Sequence, residues 1–182
     1  YDYRSVHLPK NEHLSESYTA VSAARLVPLL RDGERIVTQS LAIIEYLEER
    51  YPQAPLLSKD LAARARERGV AAVIGCDVHP LHNVSVLNRL RQLGHDEPQV
   101  MEWIGHWISQ GLATVEQLIG DEGYCFGPEA GLADVYLIPQ LYAAERFNIP
   151  LEAYPRIRRV AALAATHPAF IKAHPANQPD TP

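Results

Sequence analysis

Cysteine is scarce in these 182 residues: Cys76 and Cys125 are the only two, too few for a disulfide framework. Positive charge is also short. Seventeen Lys and Arg stand against 22 Asp and Glu, and the resulting net charge of -5 gives no reason to expect nucleic acid, which favours basic faces. Arg64, Asp77 and Pro139 break the longest apolar stretches, so no segment is expected to span a membrane. The N-terminus shows no signal-peptide pattern. Internal repeats, low-complexity blocks, a Gly-rich phosphate loop and a Gly-x-Ser-x-Gly elbow are all missing. What survives these exclusions is a soluble cytoplasmic protein of ordinary globular composition, 47% apolar and 21% charged.

What is present divides in character along the chain. Val6 and Leu8 alternate with Ser5 and His7, as in a half-buried strand, and residues 11–20 read as a short, poorly specified helix. Residues 26–30 and 35–37 read as a β-hairpin around Arg31-Asp32-Gly33-Glu34, because Asp-Gly is a strong turn signal. A helix follows over 40–51, with Leu41, Ile43, Ile44 and Leu47 as its apolar stripe. Residues 52–57, rich in proline, form a linker. Beyond it the pattern is helical throughout: 61–93 with a kink at Pro80, then 100–119, then 131–147. Two shorter helices start at Pro155 and Pro168, where proline suits a first helical position.

The expected fold is therefore α/β plus all-α, with a small α/β domain at 1–51 and an all-helical domain at 57–174. Three strands and two helices in so short a domain cover little apolar area. The strand pattern is already running at Tyr1, and no Met stands there. A strand and helix ahead of Tyr1 are expected to complete a four-stranded, thioredoxin-like sheet.

Few motifs carry chemistry. Leu26-Val27-Pro28-Leu29-Leu30 is an extended edge; Pro28 cannot donate to a ladder, and a cis Val27–Pro28 bond is expected. Gln39-Ser40 opens a helix, whose free N–H groups and dipole suit a carboxylate. The alternative for Ser40 is simple capping. Cys76-Asp77-Val78-His79-Pro80-Leu81-His82-Asn83 is the densest polar cluster. Metal binding is one reading, but Cys76, Asp77 and His79 share no helical face at i,i+4 spacing, and no metal is expected. A pocket wall facing a substrate is preferred over satisfied core groups at a kink. Asp134 follows Gly131 by three residues, as in a capping box, which makes it a folding device. Arg146 is either a surface ion pair with Glu145 or Glu152, or a cation for an anionic substrate. Val70, Val73, Trp103 and Ile104 are large apolar residues beyond what one helix face needs, so helices within 57–120 are expected to form a dimer contact.

Taken together, Thr38–Glu49, Pro80–Leu87, Ala144-Glu145-Arg146-Phe147 and Gln178-Pro179-Asp180-Thr181-Pro182 resemble the zeta class of glutathione transferases, and within it the maleylacetoacetate isomerases. The resemblance covers essentially the whole chain. It implies the glutathione transferase fold, in which a thioredoxin-like domain binds glutathione, a helical domain shapes the second-substrate pocket, and two chains form a homodimer. By the same resemblance, the backbone of Val27 pairs with the cysteinyl part of glutathione, Gln39 and Ser40 hold its γ-glutamyl carboxylate, and His13 touches it. His79 and Asn83 line the cleft, and Arg146 faces a substrate carboxylate. The implied reaction is glutathione-dependent cis–trans isomerisation of maleylacetoacetate to fumarylacetoacetate, a step of tyrosine and phenylalanine breakdown. A maleylpyruvate isomerase, a transferase acting on small halo-acids and a non-catalytic dimerisation module are the alternatives.

The sequence departs from the family in three places. The family's Ser-Ser-Cys-Ser, whose hydroxyl stabilises the glutathione thiolate, has no counterpart and is expected ahead of Tyr1, so no catalytic residue is assigned within the chain. The Asn-Pro before the Val-Pro strand is Ser22-Ala23, and Gly131 stands where Ser or Thr usually caps a helix.

Overall fold

Gly33, at φ 61°, turns the chain back on itself and organises the first of two compact units. In a computed structural model, which describes residues 1–181, these units are Tyr1–Pro55 and Leu56–Thr181. In the first, β1 (Leu29–Asp32) pairs antiparallel with β2 (Arg35–Thr38), from Leu29 opposite Thr38 to Asp32 opposite Arg35. Gly33 and Glu34 form a two-residue loop, and only the first of them has positive φ, the pattern of a II′ hairpin. Helix α1 (Glu16–Thr19) lies ahead of the hairpin and α2 (Ser40–Arg50) after it. Tyr46 of α2 donates to Asp32 at the end of β1, 2.5 Å, and this bond raises the Tyr46 pKa above its ordinary value.

The strand expected at Val6 and Leu8 is not there. Among the described residues the sheet is β1 and β2 alone, so these residues have no ladder to join, and Leu8–Lys10 closes a 3-10 turn. The first unit buries little: among its described residues only Ile43 and Ser22 are fully buried.

The second unit is built around α5 (Glu97–Leu118). Asp96 accepts from the N–H of Gln99 at 3.0 Å, and the Gln99 side chain accepts from the N–H of Asp96 at 3.1 Å, a complete capping box. Val100, Ile104, Ile108, Leu112 and Val115 fall on one face of α5, and all are buried. Against that face pack α3 (Leu61–Ala72), α6 (Leu132–Arg146) and α7 (Pro155–Ala164). Two further helices, α4 (Val84–Gln92) and α8 (Pro168–Ala173), complete the unit. The tail after α8, expected to be irregular, forms a 3-10 turn at Pro175–Asn177 and is tied back by Asn177 Nδ2, 2.7 Å from the Ile171 carbonyl. Pro182, the last residue of the tail motif, lies outside the described residues.

Asp134 does what its spacing predicts and more. Its buried carboxylate accepts the N–H of Gly131 and that of Cys125, both at 2.9 Å. It therefore starts α6 and pins the preceding loop to it. Glu67, also buried, accepts the N–H of Ser58 at 2.9 Å and the Ser58 hydroxyl, which fixes the entry to α3.

The kink expected at Pro80 is larger than a kink. After α3 the chain passes through a π-helical turn, Val73–Val78, and a 3-10 turn, His79–His82, before α4. Pro80 has no N–H, and its ring collides with the carbonyl four residues back in a regular helix, so the helix must open before it. The opened turn presses on its neighbours. A Cβ on Gly111 of α5 would stand 2.0 Å from Val78, and one on Gly75 would stand 2.8 Å from the Tyr136 ring of α6. By length and composition alone the run Leu61–Gln92 is apolar enough to cross a membrane, which the sequence interruptions had argued against. In this fold it is a core element, burying Val70, Ala71, Ile74, Val78 and Leu87.

The residues expected at a dimer contact are also placed differently. Val70 and Ile104 are fully buried inside this unit, and Val73 and Trp103 are partly buried against its core. Much of the apolar surface counted along the sequence is thus taken up by the core of this unit itself. Gly111→Ala forces a methyl group into Val78, and overpacking of this kind costs about 1–3 kcal/mol. Urea unfolding should show that loss, and a variant as stable as the parent would contradict so close a contact.

Candidate functional site

Each unit presents one group of the residues singled out in the sequence. In the first unit, the ladder ends at Leu29 and Thr38, directly after Pro28 in one strand and directly before Gln39 in the other. The Val27–Pro28 peptide is cis. The Leu26 carbonyl accepts from Tyr18 Oη at 2.7 Å and from the buried Ser22 Oγ at 3.3 Å, which fixes the chain just before Val27. Val27 itself makes no backbone hydrogen bond among the described residues and is 41% exposed.

Gln39, not Ser40, occupies the N-cap of α2, and its side chain makes no capping bond. The simple-capping alternative for Ser40 therefore does not hold: Ser40 is the first helical residue, where its hydroxyl and the first N–H groups of α2 are available together. Gln39 sits at φ 73°, a conformation that costs a non-glycine residue on the order of 1–3 kcal/mol. His13 is half-buried, and its Nδ1 is buried with no partner among the described residues.

In the second unit, the 3-10 turn His79–His82 carries the other group. Trp103 Nε1 donates to the Leu81 carbonyl at 2.8 Å and ties the turn to α5. His79 is exposed at one end of the turn and Asn83 half-buried at the other. Burial of part of the ring, and then the neighbouring His82, hold the His79 pKa below its ordinary value, so at neutral pH it is an uncharged donor and acceptor. Asn83 is the N-cap of α4, yet its side chain makes no capping bond. His82, a member of the polar cluster read above as a pocket wall, is instead buried. Its Nε2 donates to Oε1 of the buried Gln140 at 3.1 Å, because that carbonyl oxygen only accepts.

Arg146 makes no ion pair with Glu145 or Glu152. Its exposed guanidinium lies 5.7 Å from the centre of the Phe147 ring. Phe147 is edge-on to His82 at 6.0 Å, and His82 is edge-on to His79 at 5.2 Å. The structure thus brings Arg146 and His79, 67 positions apart, to the two ends of one stack of rings. Sequence reasoning missed Gln140 and Phe147. Gln140 had a readable signal: it falls on the same face as Ala133, Leu137, Leu141 and Ala144, the buried stripe of α6, where a polar residue needs a partner.

Among known proteins, the family described as "Glutathione S-transferase, N-terminal domain" matches residues 1–55. The maleylacetoacetate isomerase of Pseudomonas aeruginosa is 66% identical over 188 residues, covering all of this chain and 88% of that protein. The chain belongs to the maleylacetoacetate isomerases, in the zeta class of glutathione transferases. Solved structures of this class superpose closely. The holo structure of a maleylpyruvate isomerase, a bacterial zeta-class enzyme, has a TM-score of 0.94 at 44% identity and covers 97% of this chain and 86% of its own. The maleylacetoacetate isomerase of Methylobacterium extorquens AM1, with malonate and GSH bound, has a TM-score of 0.91 at 33% identity, over 97% and 86% of the two chains.

Neither cysteine of this zeta-class chain belongs to either group of candidate residues. Cys125 is fully buried, and burial, followed by the Asp134 carboxylate, pushes its thiol far above the ordinary range. Cys76 is exposed on the π-helical turn. Among the described residues no three His, Cys, Asp or Glu side chains are grouped to hold a metal ion. A disulfide reagent should titrate one thiol in the native protein, at Cys76, and two after unfolding. Rapid loss of both native thiols would contradict the burial of Cys125.

Proposed function

We propose that the protein is a glutathione-dependent maleylacetoacetate isomerase, converting the cis maleyl group to the trans fumaryl product. The observation that carries this reading is the 66% identity to the Pseudomonas aeruginosa isomerase along the whole chain. The residues of the first unit fit glutathione. A carboxylate suits the N–H groups and the Ser40 hydroxyl at the start of α2, the unpaired backbone of Val27 suits a peptide, and the partnerless Nδ1 of His13 suits a further polar contact. When bound, glutathione supplies a thiol whose sulfur adds to the double bond, lets it turn as a single bond and leaves again unchanged.

In this reading Gln39 and Ser40, the N-cap and first residue of α2, hold the glutamyl end. Arg146 attracts a substrate carboxylate through its guanidinium, while neutral His79 and the free amide of Asn83 offer hydrogen bonds to the remaining oxygens. No residue in 1–181 is assigned to stabilising the thiolate. The protein is read as a homodimer, as the family resemblance implies, and as cytoplasmic, the default drawn from its composition and scarce cysteine. Maleylpyruvate is the second substrate to test, since the maleylpyruvate isomerase structure superposes with a TM-score of 0.94.

Turnover of maleylacetoacetate with glutathione tests the reading. No turnover of it, alongside efficient turnover of maleylpyruvate, would move the assignment to the second substrate. Ser40→Ala should weaken glutathione binding by about 1.5–3 kcal/mol in calorimetry, the range for a hydrogen bond to a charged group. An unchanged affinity would remove Ser40 from the site. Arg146→Ala should lower kcat/KM for the dianionic substrate roughly tenfold or more while glutathione affinity stays within twofold. An equal loss in both would show that Arg146 serves the fold rather than the substrate.

A further inference from the structure

The turn His79–His82 is a short 3-10 segment whose own bonds are of the tighter i→i+3 kind, as in the Asn83 N–H to the Pro80 carbonyl. It contains Pro80, which donates nothing, and it joins a π-helical turn to α4. It is also anchored from outside at two adjacent residues. The Leu81 carbonyl is bonded to Trp103 of α5, and the His82 ring is bonded to Gln140 of α6. The exposed His79 lies two residues before Leu81, and the half-buried Asn83 directly follows His82.

The Gln140 anchor is unusual. The residue is 3% exposed, Oε1 takes the His82 bond, and Nε2 is buried with no partner among the described residues. A buried amide that leaves its donor unused is a poor stabilising device, and an apolar residue of the same length would fill the position at lower cost. What the amide does achieve is orientation. It fixes the plane of the His82 ring, and that ring touches His79 on one side and Phe147 on the other. Phe147 in turn carries Arg146 against its ring.

We infer that Gln140, acting through His82, is a positioning residue that fixes the separation of His79 and Arg146 and thereby selects substrates with carboxylates at both ends. The inference rests on the proposed isomerase reading, because it takes His79 and Arg146 as substrate contacts. Neither Gln140 nor His82 touches the reacting atoms. Loosening the ring lets the two contacts drift apart, which weakens the grip on a dicarboxylate and leaves the glutathione end alone.

Gln140→Met removes the bond and the unused donor while keeping length and burial. It is expected to raise KM for maleylacetoacetate and the dissociation constant for malonate about tenfold each, with kcat and glutathione affinity within about twofold, the signature of lost substrate binding rather than lost chemistry. The thermal midpoint is recorded alongside. His82→Gln is the second variant, chosen in case the first fails to fold: it keeps a donor within reach of Gln140 but removes the ring between His79 and Phe147, and it should raise both constants as well. A lowered midpoint with unchanged KM and unchanged malonate affinity would reduce the pair to a structural role and overturn the inference. A parent protein that binds malonate but does not turn over maleylacetoacetate would overturn the isomerase reading alone, and the malonate constants of the variants would still decide the positioning role. A parent that does neither would overturn both.

Discussion

The close approach of Val78 to Gly111 is the constraint on which the second unit depends. A helix opened by a proline exposes carbonyls and loses regularity, and it is stable only if something packs tightly against the irregular part. α5 provides that surface at the one residue of its buried face that has no side chain. Because the π-helical turn lies down at Gly111, Leu81 reaches Trp103 and His82 reaches Gln140. The displayed residues of the following turn are a consequence of a glycine on another helix.

The two units obey different rules. The helical unit is held by a continuous apolar core from Val70 to Val160, with buried carboxylates at Glu67 and Asp134 stitching loops to helix starts. In the first unit, with Ile43 and Ser22 as its fully buried described residues, hydrogen bonds at particular points set the geometry: Tyr46 to Asp32, and Tyr18 with Ser22 to the Leu26 carbonyl. Those bonds hold the Val27 edge and the start of α2 in place although little apolar surface is buried around them. The left-handed Gln39 fits the same description, a locally costly conformation kept by its surroundings at the point where a ligand is proposed to sit.

Much of this was legible in the sequence because it depends on neighbours in the chain. The Asp-Gly hairpin, the helix start after Gln39, the Asp134 cap and the proline-initiated α7 and α8 are all set by short-range chemistry; the helix starts stand within a residue of where the pattern put them, while β1 begins three residues later, at Leu29. The failures depend on partners distant in sequence. Val6 and Leu8 alternate as a strand does, but alternation makes no strand without an edge to pair with. Val70 and Ile104 looked like surplus apolar surface because the packing that buries them in the core joins segments far apart in the chain, which periodicity does not encode. His82 looked like a substrate contact because its partner, Gln140, lies 58 positions away. Family resemblance located His79, Asn83 and Arg146, but only the fold shows that rings of Phe147 and His82 lie between the two ends.

The π-helical turn has one further consequence, which concerns chain length rather than side chains. In a regular α-helix each residue advances the chain by about 100° around the axis, so a widened turn that absorbs an extra residue rotates everything after it. Val73–Val78 is where that rotation is set for His79 and Asn83. Deleting any one residue there would let the helix close to its ordinary pitch and swing both side chains to another side, even though every residue of the site remained. Substitutions through this segment should be tolerated as long as they pack, whereas insertions and deletions change the direction in which the following turn presents its side chains.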